Sequence, residues 1–293
     1  MRKHPYFRVL RVRQWPKNGF LLAPLIFDGQ LFNLPAAGKT LAGLAVFCLL
    51  SSGLYVINDI LDVASDRQHP RKRLRPIASG EISLRNAWIY AALLILTAWA
   101  AALLLNWHFF LITLAVAAIN LIYSLKLKHL PIIDVMTIGV LFLLRVVAGI
   151  TLVQVKVFSP WIYVVTFMLA LYLGFGKRRA ELAMLVEKDE KETLSRPVLE
   201  GYSLPLLDQL ITIVSSVTIF GYTLYTFSGP TLPDNHAMML TIPFVVYGIF
   251  RYHYLIQIKH AGGAPEEVLF SDRPLQLAIL LYGIVVVIVM YLL

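Results

Sequence analysis

Residues 41–66 read LAGLAVFCLLSSGLYVINDILDVASD. The first eighteen, 41–58, carry no charge. Wound as a helix at ~1.5 Å per residue they reach ~27 Å, close to the ~30 Å of hydrocarbon in a bilayer. The last nine carry three carboxylates and an amide: Asn58, Asp59, Asp62 and Asp66. On a helical wheel these four lie within about 100° of one another. One apolar rod therefore ends in one acidic face. A solvated helix end balancing the basic loop that follows would not explain that single-faced spacing. Carboxylates repel one another at a membrane boundary unless something positive sits between them. Hard divalent cations, above all Mg²⁺ shared with a diphosphate, suit oxygen ligands of this kind.

Working outward, eight more stretches have the length and apolarity of a span: 18–34, 86–105, 108–125, 133–153, 160–176, 206–227, 237–257 and 275–293. The first is the weakest, being interrupted by Pro24 and Asp28. Over 293 residues, 58% are apolar, 15% are charged, and mean hydropathy is +0.72. Soluble domains carry nearer ~25% charge, so a water-soluble enzyme and a disordered chain are both excluded. The expected fold is an all-α membrane protein of about nine transmembrane helices, drawn as one polytopic domain, 1–293. The single cysteine, Cys48, cannot form an internal disulfide, and no Cys/His cluster has metal spacing. The net charge of +9 is explained by loops rather than by nucleic acid. With nine spans and an inside N-terminus, 23 Lys and Arg fall in cytoplasmic segments and 2, Lys39 and Lys156, outside. That bias assigns the cytoplasmic side and puts the C-terminus opposite.

The basic start, 1–17, reads as a cytoplasmic tail lying on anionic lipid, apart from Lys17 and Asn18. Loops 61–85 and 177–205 are the expected active-site loops. In the first, five cations follow the acidic face between Arg67 and Arg75. They suit either lipid headgroups or a phosphorylated substrate. Lys72 and Arg75 are the better placed, with Arg71 and Arg73 solvated. Arg145 falls deep in the fifth span, where a charge faces the bundle interior. A pair with Asp134 is excluded by the ~16 Å of helix between them.

The Asn58-Asp59-x-x-Asp62-x-x-x-Asp66 pattern with nine spans resembles the UbiA superfamily of intramembrane prenyltransferases. Most of its members hold a prenyl diphosphate through Mg²⁺ between two acidic motifs, one in each half. This sequence departs from that pattern where the sixth span ends in Gly174-Phe175-Gly176-Lys177-Arg178-Arg179-Ala180-Glu181-Leu182. One carboxylate, preceded by three cations, stands where a second acidic motif is expected, so the second half reads as an anion receptor. That segment, together with Arg13 to Asn18, Lys72 to Ile77, Tyr123 to Asp134, and Pro265-Glu266-Glu267 through Asp272-Arg273, resembles the decaprenyl-phosphate phosphoribosyltransferase branch.

The resemblance implies Mg²⁺, a 5-phosphoribosyl diphosphate donor and a polyprenyl phosphate acceptor in the cytoplasmic (inner) membrane. The product would be a polyprenyl phosphoryl-β-ribose 5-phosphate, a precursor of lipid-linked pentose donors for the cell envelope. It leaves room for a homo-oligomer and requires no nucleic acid. Asn58, Asp59, Asp62 and Asp66 are the implied metal ligands, and Asp62, Asp66 and Lys177 the catalytic set. Lys17, Asn18, Lys72, Arg75, Tyr123, Lys126 and Lys128 are implied to hold substrate. Arg145, Arg178, Glu181, Arg251, Asp272 and Arg273 join them, as does Lys177. The alternative is a prenyltransferase with a prenyl diphosphate donor and a small polar or aromatic acceptor, which predicts more acids near residue 181. A transporter of anions would want polar positions deep in several spans, whereas here the charges gather at one mouth.

Overall fold

The computed structural model describes residues 4–70, 72–153, 155, 157, 159–187, 197–259 and 265–293, without the side chains of 187, 197 and 265–267. Arg71, Lys156, the stretch 188–196 of the second expected loop, and the Glu266 and Glu267 side chains thus lie outside the described residues. The described residues form helices and no strand. Among the described residues, eight helices are long and apolar enough to cross a membrane. Large apolar side chains stand exposed along them, with Leu104 at 90% and Phe220 at 65%. Such surface is stable only against lipid tails. The chain is a multi-pass membrane protein.

It divides into two compact units where the sequence suggests one domain. The first comprises residues 1–25, 33–127 and 144–154. It contains α1 (Pro5–Val9), a 3₁₀ segment (Val12–Leu22), α3 (Leu34–Leu61), α4 (Val63–Gln68), α5 (Leu84–Leu105) and α6 (Trp107–Leu125). The short α2 (Ala23–Phe27) begins in this unit, and α7 (Ile133–Leu152) ends in it. The second unit comprises 26–32, 128–143 and 155–293. It contains the start of α7, then α8 (Pro160–Glu187), α9 (Leu204–Ser228), α10 (Ile242–Ile258), α11 (Pro265–Ser271) and α12 (Arg273–Tyr291).

Local chemistry sets the helix starts. Asn33, Ser203 and Asp272 each cap a helix by accepting a backbone N–H three residues on, and each is followed two residues later by proline. The cap satisfies an orphan donor, and proline has no N–H to leave orphaned. In the first unit α3 packs against α5, where Gly53 lies against Ile95 and Ala91. Gly149 of α7 is tighter still, since a Cβ there would meet the Leu21 carbonyl oxygen.

The expected span 18–34 is not a long α-helix. Residues 12–22 are wound as 3₁₀ around Pro16, and five α-helical residues follow. Proline removes an N–H from the ladder and favours the tighter winding. A 3₁₀ helix rises ~2.0 Å per residue, so 12–27 still reaches ~30 Å. The segment runs antiparallel to α3. The Trp15 indole donates to Ser52 Oγ at 3.1 Å, and the Asn18 amide donates to Ser51 Oγ at 3.1 Å.

Candidate active site

The acidic motif straddles the joint between α3 and α4. Asp62 is the joint residue, yet the hydrogen-bond ladder continues through it. Its N–H reaches the Asn58 carbonyl at 2.9 Å, and the Asp66 N–H reaches the Asp62 carbonyl at 2.8 Å. The one acidic face expected from the wheel separates into two pairs. Asn58 and Asp62 are half-buried, with the Asn58 amide donating to Asp62 Oδ2 at 3.1 Å. Asp59 and Asp66 are buried, at 3% and 2% exposure, and meet arginines. Arg75 Nη1 donates to Asp59 Oδ1 at 3.1 Å and to Asp66 Oδ2 at 2.6 Å. Arg11 also pairs with Asp59 Oδ1, and its guanidinium lies over the Tyr55 ring at 5.0 Å.

Arg11 is absent from the residues expected from the sequence, because among the charges of 1–17 it looks like one more solvated cation. Its backbone carries a signal that sequence does not show: φ is +50°, a left-handed conformation costly for a non-glycine residue. Its neighbour Arg8 pairs with Glu81 at 2.8 Å and donates to the Leu74 carbonyl at 2.8 Å. Val9 is buried with Val56, Ile60, Ile77 and Ile82. To the expectation that this tail lies on lipid the structure adds an inner contact: α1 and Arg11 join Leu74, Ile77 and Glu81 to the acidic end of α3. The apolar side of α1 finds its partner within the unit.

Of the other residues expected here, Asn18 is buried and accepts from Arg145 Nε at 3.0 Å. Arg145 is therefore oriented by the 3₁₀ segment. Lys17 donates to Gln14 Oε1 at 2.5 Å. Lys72 and Tyr123 are half-buried, Lys126 is exposed at the end of α6, and Arg73 is exposed.

The second unit has its own charged cluster. Arg178 of α8 is 2% exposed and donates to Asp134 at 2.7 Å and to Glu181 at 2.6 Å. Tyr202 donates to the other oxygen of Asp134 at 2.8 Å and accepts the Ile132 N–H at 2.5 Å. Burial pushes the Tyr202 hydroxyl well above its ordinary pKa, so it remains a proton donor to Asp134. Ile132 has φ +69°, which is rare for a β-branched residue. Arg179 pairs with Asp208 at 2.6 Å. Arg251 and Asp272 pair at 2.8 Å, and Arg251 lies over Tyr254 at 5.3 Å. That hydrogen bond from Arg251 holds the Asp272 carboxyl below its usual range, and the N–H of Leu275 adds to it.

Two local roles add to the sequence-based expectation. Arg178, expected to hold substrate, is buried between the carboxylates of Asp134 and Glu181, and Lys177 beside it is half-buried. Asp272 also has a local role: it caps α12 and holds Arg251. Arg273 is exposed on the first turn of α12, and Lys128 is half-buried on a 3₁₀ turn, Leu127–His129.

Long apolar helices with a buried, arginine-bridged aspartate motif at the end of one of them define a multi-pass membrane protein that carries a charged site at a helix end. The sequence model of the UbiA prenyltransferase family matches residues 21–271, and the chain belongs to that family. It is 31% identical over 288 residues to the decaprenyl-phosphate phosphoribosyltransferase of Mycolicibacterium smegmatis, covering 93% of this chain and 88% of that one. It is 36% identical over 196 residues to the uncharacterized protein y4nM of Sinorhizobium fredii, covering 66% of this chain and 38% of that one. The fold matches a UbiA homologue from Archaeoglobus fulgidus bound to GPP and Mg²⁺, with TM-score 0.72 and 22% identity over 98% of this chain and 99% of that one.

Proposed function

We propose that this protein transfers the 5-phosphoribosyl group of 5-phosphoribosyl diphosphate to the phosphate oxygen of a polyprenyl phosphate, releasing diphosphate. The observation that carries the reading is the similarity to a decaprenyl-phosphate phosphoribosyltransferase along nearly the whole of both chains. The second half of the sequence supports it: Lys177-Arg178-Arg179 with one carboxylate, Glu181, stands where a second acidic motif would serve a prenyl diphosphate enzyme.

The acidic motif suits a divalent cation of the Mg²⁺ kind by its hard oxygen donors. Among the described residues no three acids, histidines or cysteines converge on one point. Mg²⁺ typically takes one or two carboxylates, with waters and substrate phosphates completing its shell. Asn58, Asp62 and Asp66 would hold it, with Asp59 behind them. Bound there, the ion would supply Lewis-acid stabilisation of charge on the departing diphosphate.

The rest of the chemistry falls to the chain itself. A lipid phosphate oxygen is already anionic near neutral pH, so no strong general base is needed. Positioning and preorganised charge carry the barrier reduction. Arg145, held through Nε by Asn18, offers its guanidinium as a phosphate fork, and Lys177 acts as a point charge. The proposal includes a cytoplasmic N-terminus, so that the basic loops meet soluble donor. Transfer of label from 5-phosphoribosyl diphosphate into polyprenyl phosphate by the purified protein tests it. Ribose label entering lipid only with Mg²⁺ is the expected result. Label moving only from a prenyl diphosphate to 4-hydroxybenzoate would overturn it.

A further inference from the structure

Two guanidiniums converge on Asp59 Oδ1, and they are not equivalent. Arg11 is built in. Its left-handed backbone, its seat over Tyr55 and the anchoring of Arg8 to Glu81 and Leu74 leave it little room to swing. The Ser52 hydroxyl, at 2.8 Å from the Leu10 carbonyl, fixes the residue before it. Arg75 reaches in from the far side of the acidic face, beyond Asp66; its side chain is 29% exposed, close to the 25% of Arg11, so anchoring and not exposure separates the two. A single nitrogen, Nη1, touches both Asp59 and Asp66. Two buried carboxylate oxygens thus converge on one positive atom, the geometry that a small cation would exploit.

Among the described residues Arg75 is the ion-pair partner of Asp66, whereas Asp59 has Arg11 as well. Stripping a buried carboxylate of its counter-charge is strongly unfavourable. Arg75 can therefore leave Asp59 without stranding it, but can leave Asp66 only if another cation takes its place.

We propose that Arg75 is an exchangeable internal cation: it holds Asp66 in the ligand-free protein and yields it to the divalent ion, while Arg11 remains as the permanent counter-charge of Asp59. This rests on the metal site under Proposed function and adds to it a positioning role for Arg11 and a two-position role for Arg75. The guanidinium displaced from Asp66 is then next to the anionic donor at the moment the donor needs it. Apo protein keeps its acids neutralised.

The test uses wild-type protein in detergent, the arginine reagent phenylglyoxal and peptide mapping by mass spectrometry, with Mn²⁺ as the probe. Free Mn²⁺ is followed by electron paramagnetic resonance. Saturating Mn²⁺ should raise labelling of Arg75 about tenfold, the size of one charge-assisted hydrogen bond, and leave Arg11 and Arg73 unchanged. Unchanged Arg75 labelling despite Mn²⁺ binding overturns the exchange. As a second measurement, Arg75→Gln should bind Mn²⁺ about tenfold more tightly than wild type without any donor present. Equal or weaker binding overturns it. If neither protein binds Mn²⁺, the metal site itself fails and the exchange with it, an outcome distinct from Mn²⁺ that binds without releasing Arg75.

Discussion

Asp62 and Asp66 stand one helical turn apart, yet they occupy different surroundings. Asp62 is half-buried beside Asn58, while Asp66 is buried against Arg75. Asn at either position should abolish transfer in the label assay while the protein stays folded in detergent. Only Asp66→Asn should also lower the melting temperature, by the equivalent of about 1–3 kcal/mol once the exposure of Arg75 is discounted. Wild-type turnover by either variant would remove the metal assignment. Ile132 makes a separate case. Its φ of +69° is held by Tyr202 and by the start of α7, and its side chain is 42% exposed. Ile132→Asn, which tolerates that conformation, should raise the stability by about 1–2 kcal/mol, read as a higher melting temperature; a fall would show that the Ile side chain matters more than the strain. The acids were legible in the sequence because their spacing is local. Arg11 was not, since its role depends on a left-handed turn and on a partner 48 residues away. Asp134 with Arg178 was hidden for the same reason: the pair joins helices 44 residues apart.

Among the elements, the long helices were readable from apolar length alone, but the starts expected at 206 and 275 fall two residues late, because hydropathy does not see the caps Ser203 and Asp272. The 3₁₀ segment 12–22 was not readable, because hydropathy counts residues while a membrane measures ångströms. A tighter winding needs fewer residues for the same crossing. At the start of α12, Asp272 does two jobs, capping the helix and pairing with Arg251. Its carboxyl is held below the usual range by Arg251, so its contribution to stability is fully present above the ordinary carboxylate pKa and is lost as pH falls through the depressed folded value. Melting of wild type and Asp272→Asn across pH should show a gap near neutrality that closes in acid. A gap that widened in acid would contradict the pairing.

For the molecule as a whole, the charge bias and the reach of the 3₁₀ segment make one joint prediction about orientation. Lys39 and Arg85 are both exposed and lie at opposite ends of the hairpin formed by α3 and α5. A cysteine at 85 should react with a membrane-impermeant maleimide only from the cytoplasmic side, and a cysteine at 39 only from the other. A C-terminal reporter should sit with residue 39. An N-terminal reporter on the same face as residue 39 would mean that 12–27 does not cross. The family and its helical plan were legible in the sequence because lipid imposes length and one motif is contiguous. The division into two units was not, since it depends on which helices pack together and not on any linker composition. One small feature makes the mapping simple. The lone thiol, Cys48, is buried, with the Asn18 amide 3.5 Å from its sulfur. Introduced cysteines can therefore be read against an almost silent background, with the native one left in place. Replacing it would disturb the amide that aims Arg145, so a conventional cysteine-free variant is the poorer reporter of this protein.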